Sequence, residues 1–178
     1  DCEYRSIRLA RSEINMAYRI AEQERWKQFD FVLGYEVKLT QNGHHVPDIC
    51  DDLAGKYPKD FVFKGWHPNC MCYVIPILMS EDQLWGNDEV KPIEEVPDEM
   101  KVWIKNNEER LEEAEERGTL PYWITDNSDK IEDIRSKDIH DLVDTSIPIF
   151  KGKRALLHER EDLYETLLED AEYEDVRF

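Results

Sequence analysis

No run of apolar residues in this chain approaches the ~18 needed to cross a bilayer as a helix, so nothing reads as a membrane span. No basic, then apolar, then small-residue pattern of a secretory signal opens it. Cysteine is sparse, with four in 178 residues. Without a secretion signal, such thiols point to a reducing compartment, where clustered Cys and His bind metal more often than they form disulfides. No Gly-rich phosphate loop, Ser-His-Asp order or isolated carboxylate pair stands out, so the commonest signs of nucleotide binding and hydrolysis are missing. Internal repeats are also lacking. The first residue is Asp1 rather than Met, and the expectation is a piece cut from a longer protein.

Basic residues are short in the second half. Residues 1–80 carry 10 Lys and Arg against 11 Asp and Glu, whereas residues 81–178 carry 13 against 30. Nearly all of the net charge of −18 therefore belongs to the second half. Binding nucleic acid or an anionic membrane needs Lys and Arg to displace counterions. The acidic half is expected to bind neither, and any nucleic-acid contact falls to the neutral first half.

The periodicity predicts a helix over 4–28, with Ile7, Ala10, Ile14, Ala17, Tyr18 and Ala21 at three- and four-residue steps. Residues 29–39 read as one bent strand or two short ones. Gln41 to His44 is a turn, since Asn-Gly tolerates positive φ. A Pro- and Gly-rich loop runs from about 43 to 68, with a helical turn near 49–54, and a strand follows at 72–78. A loop of this length in a compact domain is usually functional or pinned. Ser80 and Gln83 have the spacing of a capping box. Helices are expected from Pro97 to about Arg117 (stopped by Gly118), over 129–144 and over 153–172. The Glu-rich 108–116 run reads as a solvated helix face. The fold class is α+β: a long N-terminal helix packed on a small antiparallel sheet with a long Cys/His loop, then an acidic, mostly helical region. The expected division is 1–80 and 81–178.

The densest chemistry is Gly65-Trp66-His67-Pro68-Asn69-Cys70-Met71-Cys72, with Cys50 upstream. Zinc takes four ligands from Cys thiolate and His nitrogen in a tetrahedron. Cys50, His67, Cys70 and Cys72 supply such a set, because Pro68 and Asn69 bend the backbone between the last three. The spacing Cys-x16-His-x2-Cys-x-Cys is not a common finger pattern. A buried reduced cluster, or a disulfide between two of the thiols, explains the same residues. Cys2 lies apart and reads as a bystander. His44, His45 and Asp48 are alternate ligands. They also hint at a ββα metal nuclease, but there a helix bearing a further His directly follows the hairpin, whereas His67 follows a loop and precedes a strand. A solvated His pair in a turn is the plainer reading. Asp48, Asp51 and Asp52 are too few for a calcium or magnesium loop, and one of them reads as a helix N-cap.

Three blocks of the first half occur in one order: Ala10-Arg11-Ser12-Glu13-Ile14-Asn15-Met16-Ala17, Asp48-Ile49-Cys50-Asp51-Asp52-Leu53-Ala54-Gly55-Lys56, and His67-Pro68-Asn69-Cys70-Met71-Cys72. Over residues 5–78 they resemble the phage head-morphogenesis family, the minor head proteins similar to protein F of phage Mu. That family has an Arg-Thr-Glu helix, a Cys-x2-Cys-x2-Leu-Asp-Gly loop and His-Pro-x-Cys-Arg-Cys. The first Cys of its pair falls at Pro47, its Arg at Met71 and its Asp at Ala54. Losing the Arg removes a cation that could have paired with Glu13.

The resemblance implies a structural, non-enzymatic role. The chain would be a minor capsid protein of a phage or prophage, made in the bacterial cytoplasm, seated with portal and capsid proteins and ending in the virion. Two other classes stay open: a metal-dependent hydrolase or nuclease, and an effector or interaction module of a larger prophage protein.

Overall fold

The computed structural model describes residues 2–40, 48–86 and 90–142, which form part of one compact unit ending at Val143. The turn expected at 41–44, His44, His45 and the helix expected over 153–172 lie outside the described residues. Among the described residues no helix is long and apolar enough to cross a membrane.

Helix α1 spans Cys2–Lys27. Strand β1 (Val32–Lys38), a short helix α2 (Ile49–Asp52), β2 (Gly55–Tyr57) and β3 (Tyr73–Leu78) follow. The strands form one antiparallel sheet in the order β2-β1-β3, so the α+β class holds. The 29–39 region is a single strand with a register irregularity between Val32 and Gly34. Strand β2 was expected to be loop. Three residues hold too little alternation to be read, and its pairing of Tyr57 with Tyr35 and Gly55 with Val37 is long-range. Asp48 caps α2, accepting from the Cys50 N–H while its own N–H donates to Asp51.

After the sheet come α3 (Glu81–Trp85), α4 (Asp98–Asn106), α5 (Glu108–Glu116), α6 (Tyr122–Thr125), α7 (Ser128–Ser136) and α8 (Ile139–Leu142). Ser80 and Gln83 form the expected capping box on α3. The helix expected over 97–117 is broken at Asn107. Its side chain donates to the Trp103 carbonyl at 2.7 Å, the competition with backbone bonding that makes Asn a poor interior helix residue. Gly118 ends α5 with φ +64°, a conformation that suits glycine.

The core is continuous across residue 80. Tyr35, Tyr57, Phe61, Phe63 and Trp66 from the first part share it with Met100, Ile104, Trp123, Ile131 and Ile134 from the second. Trp66 sits 4.7 Å from Phe63 and meets Trp123 edge-on at 5.4 Å between ring centroids. Such ring pairs add about 1 kcal/mol beyond area burial.

Helix α1 reverses an expectation. Its apolar stripe stays outside: Ile7, Ile14 and Tyr18 are exposed, and the buried positions are Ser12, Arg19 and Gln23. Trp26 approaches Tyr35 of the sheet. Otherwise, among the described residues, this face bonds to the 63–72 segment, whose backbone groups need donors and acceptors. Gln23 donates to the Phe63 carbonyl at 2.6 Å and accepts from the Phe63 N–H at 3.0 Å. Asn127 does the same for Val62, accepting its N–H at 2.7 Å and donating to its carbonyl at 3.0 Å. Two amide side chains thus stand where neighbouring strands would.

Asn127→Ala strips both partners from Val62. The expected loss is about 1–3 kcal/mol, because a half-buried donor and acceptor are left unmatched. Thermal melting should fall by roughly 5–10 °C. Arg117→Ala, at an exposed ion pair, should change stability by less than about 1 kcal/mol.

Candidate metal centre

The bend after Trp66 creates the site. Gly65 has φ +127°, and a Cβ there would lie 2.6 Å from Arg19 Nη1 and 3.1 Å from Cys70 Cβ. Only glycine leaves room for the guanidinium. Asn69 takes φ +60°, turning the chain so that Cys70 points back inward, and its N–H donates to Ser12 Oγ at 2.8 Å. Capping by Asp48 holds α2 so that Cys50 faces the same point.

Cys50, His67 and Cys70 converge, with their ligand atoms all within 4.8 Å of one another, close enough to hold a metal ion. Cys50 Sγ lies 3.1 Å from His67 Nε2 and 3.8 Å from Cys70 Sγ. All four cysteines are free, so no disulfide competes, and Cys2 is exposed on α1 as a bystander should be. The Cys72 sulfur stands outside the three-atom set, although its side chain is buried and interacts with both other thiols. Asp48 Oδ2 is 3.2 Å from His67 Nε2, while its Oδ1 is engaged in the cap.

The His67 tautomer follows from its partners. Nδ1 lies 2.9 Å from the Pro68 carbonyl, which only accepts, so Nδ1 carries a proton. Nε2 then faces the Cys50 sulfur and an Asp48 carboxylate oxygen, both electron-rich. A second proton or a metal cation must sit among them. A ring nitrogen bonded to a backbone carbonyl is the usual outer contact of a metal-binding His.

Charge supplies a second constraint. Arg19 is buried and has no carboxylate within ion-pair distance among the described residues. Its Nη1 donates to Lys64 O at 2.6 Å, and Nη2 to Cys70 O at 2.8 Å and Cys72 O at 2.6 Å. The guanidinium lies 5.1 Å from the Phe63 ring centroid. Three carbonyls and a ring satisfy its donors but do not neutralise it, and a buried lone charge is costly. The thiols answer it. Hydrogen bonds from Cys50 and then Cys72 pull the Cys70 thiol down. The same contact with Cys70, followed by Cys72 and burial, pushes Cys50 well up. Cys72 is drawn down by Cys50 but raised by Cys70 and burial, reaching about 12.

Helix α6 adds Tyr122. Its hydroxyl is buried without a hydrogen-bond partner among the described residues, and its pKa is pushed up to about 12 by burial and then by Cys70. Arg19, Ser12 and Tyr122 escaped the sequence reading. Arg19 stood among the arginines flanking an apolar stripe, and nothing local marks it as the buried one.

Comparisons with family models, with curated proteins and with solved structures give no match to this chain.

Metal affinity should rise with pH, since the thiols, Cys50 and Cys72 raised by their contacts and burial, must lose protons to bind. If Cys72 is a ligand, Cys72→Ser should lower the number of protons released per ion, read by calorimetry in buffers of different ionisation enthalpy. Cys70→Ser should abolish tight binding.

Proposed function

We propose that this chain is a structural module of head assembly in a phage or prophage, held rigid by zinc on Cys50, His67, Cys70 and Cys72. One observation carries the reading: the three blocks that resemble the head-morphogenesis family meet at one point. Ser12 of the first block accepts from Asn69 of the third, and Cys50 of the second faces His67 and Cys70 of the third. Blocks separated by 30 and 10 residues in sequence thus serve one centre.

Zinc suits the donor set, because soft thiolates with one imidazole favour a closed tetrahedral site. Charge favours a third anionic ligand over water: with two thiolates, a neutral His and either the Cys72 thiolate or the Asp48 carboxylate, a divalent site sums to −1, which matches Arg19. We take Cys72 as that ligand, since Asp48 is engaged in capping α2 through Oδ1. Two thiolates, His and water sum to zero and would leave Arg19 uncompensated. A closed site supplies folding energy and no open position for substrate. The site therefore stiffens the 50–72 loop so that a fixed surface meets portal and capsid subunits, in the host cytoplasm during assembly and then in the virion. The hydrolase or nuclease reading would need an open position beside Asp48, which is occupied in capping α2.

The test mixes the zinc-loaded chain with portal rings of the same genetic element and follows co-migration by size-exclusion chromatography. Binding is expected for the native chain and at least a tenfold loss for Cys70→Ser. In parallel, the loaded chain should leave plasmid DNA intact with zinc, manganese or magnesium. Failure to bind portal or capsid subunits, or metal-dependent cleavage abolished by Asp48→Ala, would overturn the proposal.

A further inference from the structure

Two reduced thiols face each other at the centre described above, and a third lies beside them. Cys50 Sγ and Cys70 Sγ are 3.8 Å apart, and Cys72 interacts with both. All three are free and buried. They come from separate pieces of chain: Cys50 from the capped helix α2, Cys70 and Cys72 from the turn made by Asn69. A metal ion is one way to tie these pieces together, and sulfur itself offers another.

Joining Cys50 to Cys70 needs little movement. A disulfide bond is ~2 Å long, so the sulfurs close by about 2 Å, within reach of small side-chain rotations. Both backbones are already held, α2 by Asp48 and the turn by Ser12 and Arg19. The other pairings fit less well. Arg19 fixes the carbonyls of both Cys70 and Cys72, which opposes the backbone distortion of a ring closed across one residue. The Cys72 sulfur also stands outside the group of atoms that converge within 4.8 Å.

The cluster lies one side chain deep. His67 and Asp48, with side chains 35% and 43% exposed, form its outer wall, and His67 Nε2 is 3.1 Å from Cys50 Sγ. Hydrogen peroxide, scarcely larger than water, is small enough to pass beside the imidazole.

We propose that Cys50 and Cys70 are a peroxide-responsive pair, joined by hydrogen peroxide into a disulfide that replaces the metal in pinning the 50–70 loop. The inference rests on the metal reading only for the ion that is displaced, and not at all on head assembly. In the metal-free chain the Cys50 sulfur attacks one peroxide oxygen. An S–O bond forms, the O–O bond breaks, and the departing hydroxide leaves as water with the Cys50 thiol proton. The Cys70 sulfur then attacks the sulfenic acid on Cys50. The S–S bond forms, the S–O bond breaks, and the second hydroxide leaves as water with the Cys70 proton. The two thiols lose two electrons and the peroxide gains them. From the loaded site the thiolates bring no protons, so two come from solvent and the divalent ion departs. The new bond joins the same two elements that the ion joins, so the loop stays closed in either state.

The test uses the whole chain carrying Cys2→Ser, which removes an exposed thiol outside the cluster. The zinc-loaded protein is treated with a few equivalents of hydrogen peroxide, zinc release is followed with a chelating dye, and the remaining thiols are alkylated before peptide mass mapping. Zinc and disulfide should appear in equal amounts, the bridge should be Cys50–Cys70 with Cys72 alkylated, and dithiothreitol with zinc should restore the starting state. The oxidised chain should melt several degrees above the metal-free reduced chain. Peroxide should give the same bridge in metal-free protein, so a chain that never takes up zinc yet forms Cys50–Cys70 sinks the metal reading and supports this pairing. Zinc retained under peroxide that oxidises Cys2 of the native chain, sulfinic acid at Cys50 or Cys70, a bridge through Cys72, or an oxidised chain that melts below the metal-free reduced one would each overturn the proposal while leaving zinc binding intact.

Discussion

A positive charge enclosed by protein is the condition that organises this structure. The Arg19 guanidinium is held by the carbonyls of Lys64, Cys70 and Cys72 and lies against Phe63, and no carboxylate answers it among the described residues. Among the described groups sulfur is the nearest answer, and Arg19 lowers the Cys72 thiol. The same guanidinium accounts for the room left by Gly65 and for the carbonyls that the Cys-x-Cys turn presents to it. It also explains why α1 buries its polar side. The hydrophobic gain forgone by leaving Ile14 and Tyr18 outside is offset by satisfying a segment that no strand pairs.

The 61–66 segment shows how a loop can be ordered without entering a sheet. Val62 is bracketed by Asn127 and Phe63 by Gln23, each through both backbone polar groups. Phe61, Phe63 and Trp66 pack into the ring cluster, so the segment combines a strand's hydrogen bonding with a core's side chains. The metal-ligating turn begins where this bracketed stretch ends. A site built on so constrained a backbone holds its donors in place before any ion arrives.

Much of the fold was legible because its signals are local. The Ser80–Gln83 box, a cap from one of Asp48, Asp51 and Asp52, strand character over 29–39 and 72–78 and the Gly118 stop each rest on a few neighbouring residues. Strand β2 and the break at Asn107 were not, since one depends on a distant partner and the other on a single side-chain bond. The site was half legible. His67 and Cys70 announce themselves by spacing and Cys50 by its type, but the distance of the Cys72 sulfur from the others is a matter of rotamer that spacing does not encode. Arg19 was illegible for a deeper reason. Amphipathic periodicity assumes that the apolar side faces inward, and here the inward side was chosen by hydrogen-bonding need.

The continuity of the core across Ser80 has a consequence for how the chain can be divided. Composition changes abruptly there, and a boundary drawn on charge would cut the chain in two. Such a cut would uncover Tyr57, Trp66 and Phe63 on one piece and Trp123 and Met100 on the other, and it would leave Val62 without Asn127. The described helices after residue 80 and the cysteine turn therefore draw on one buried cluster, and a change in either is felt by the other.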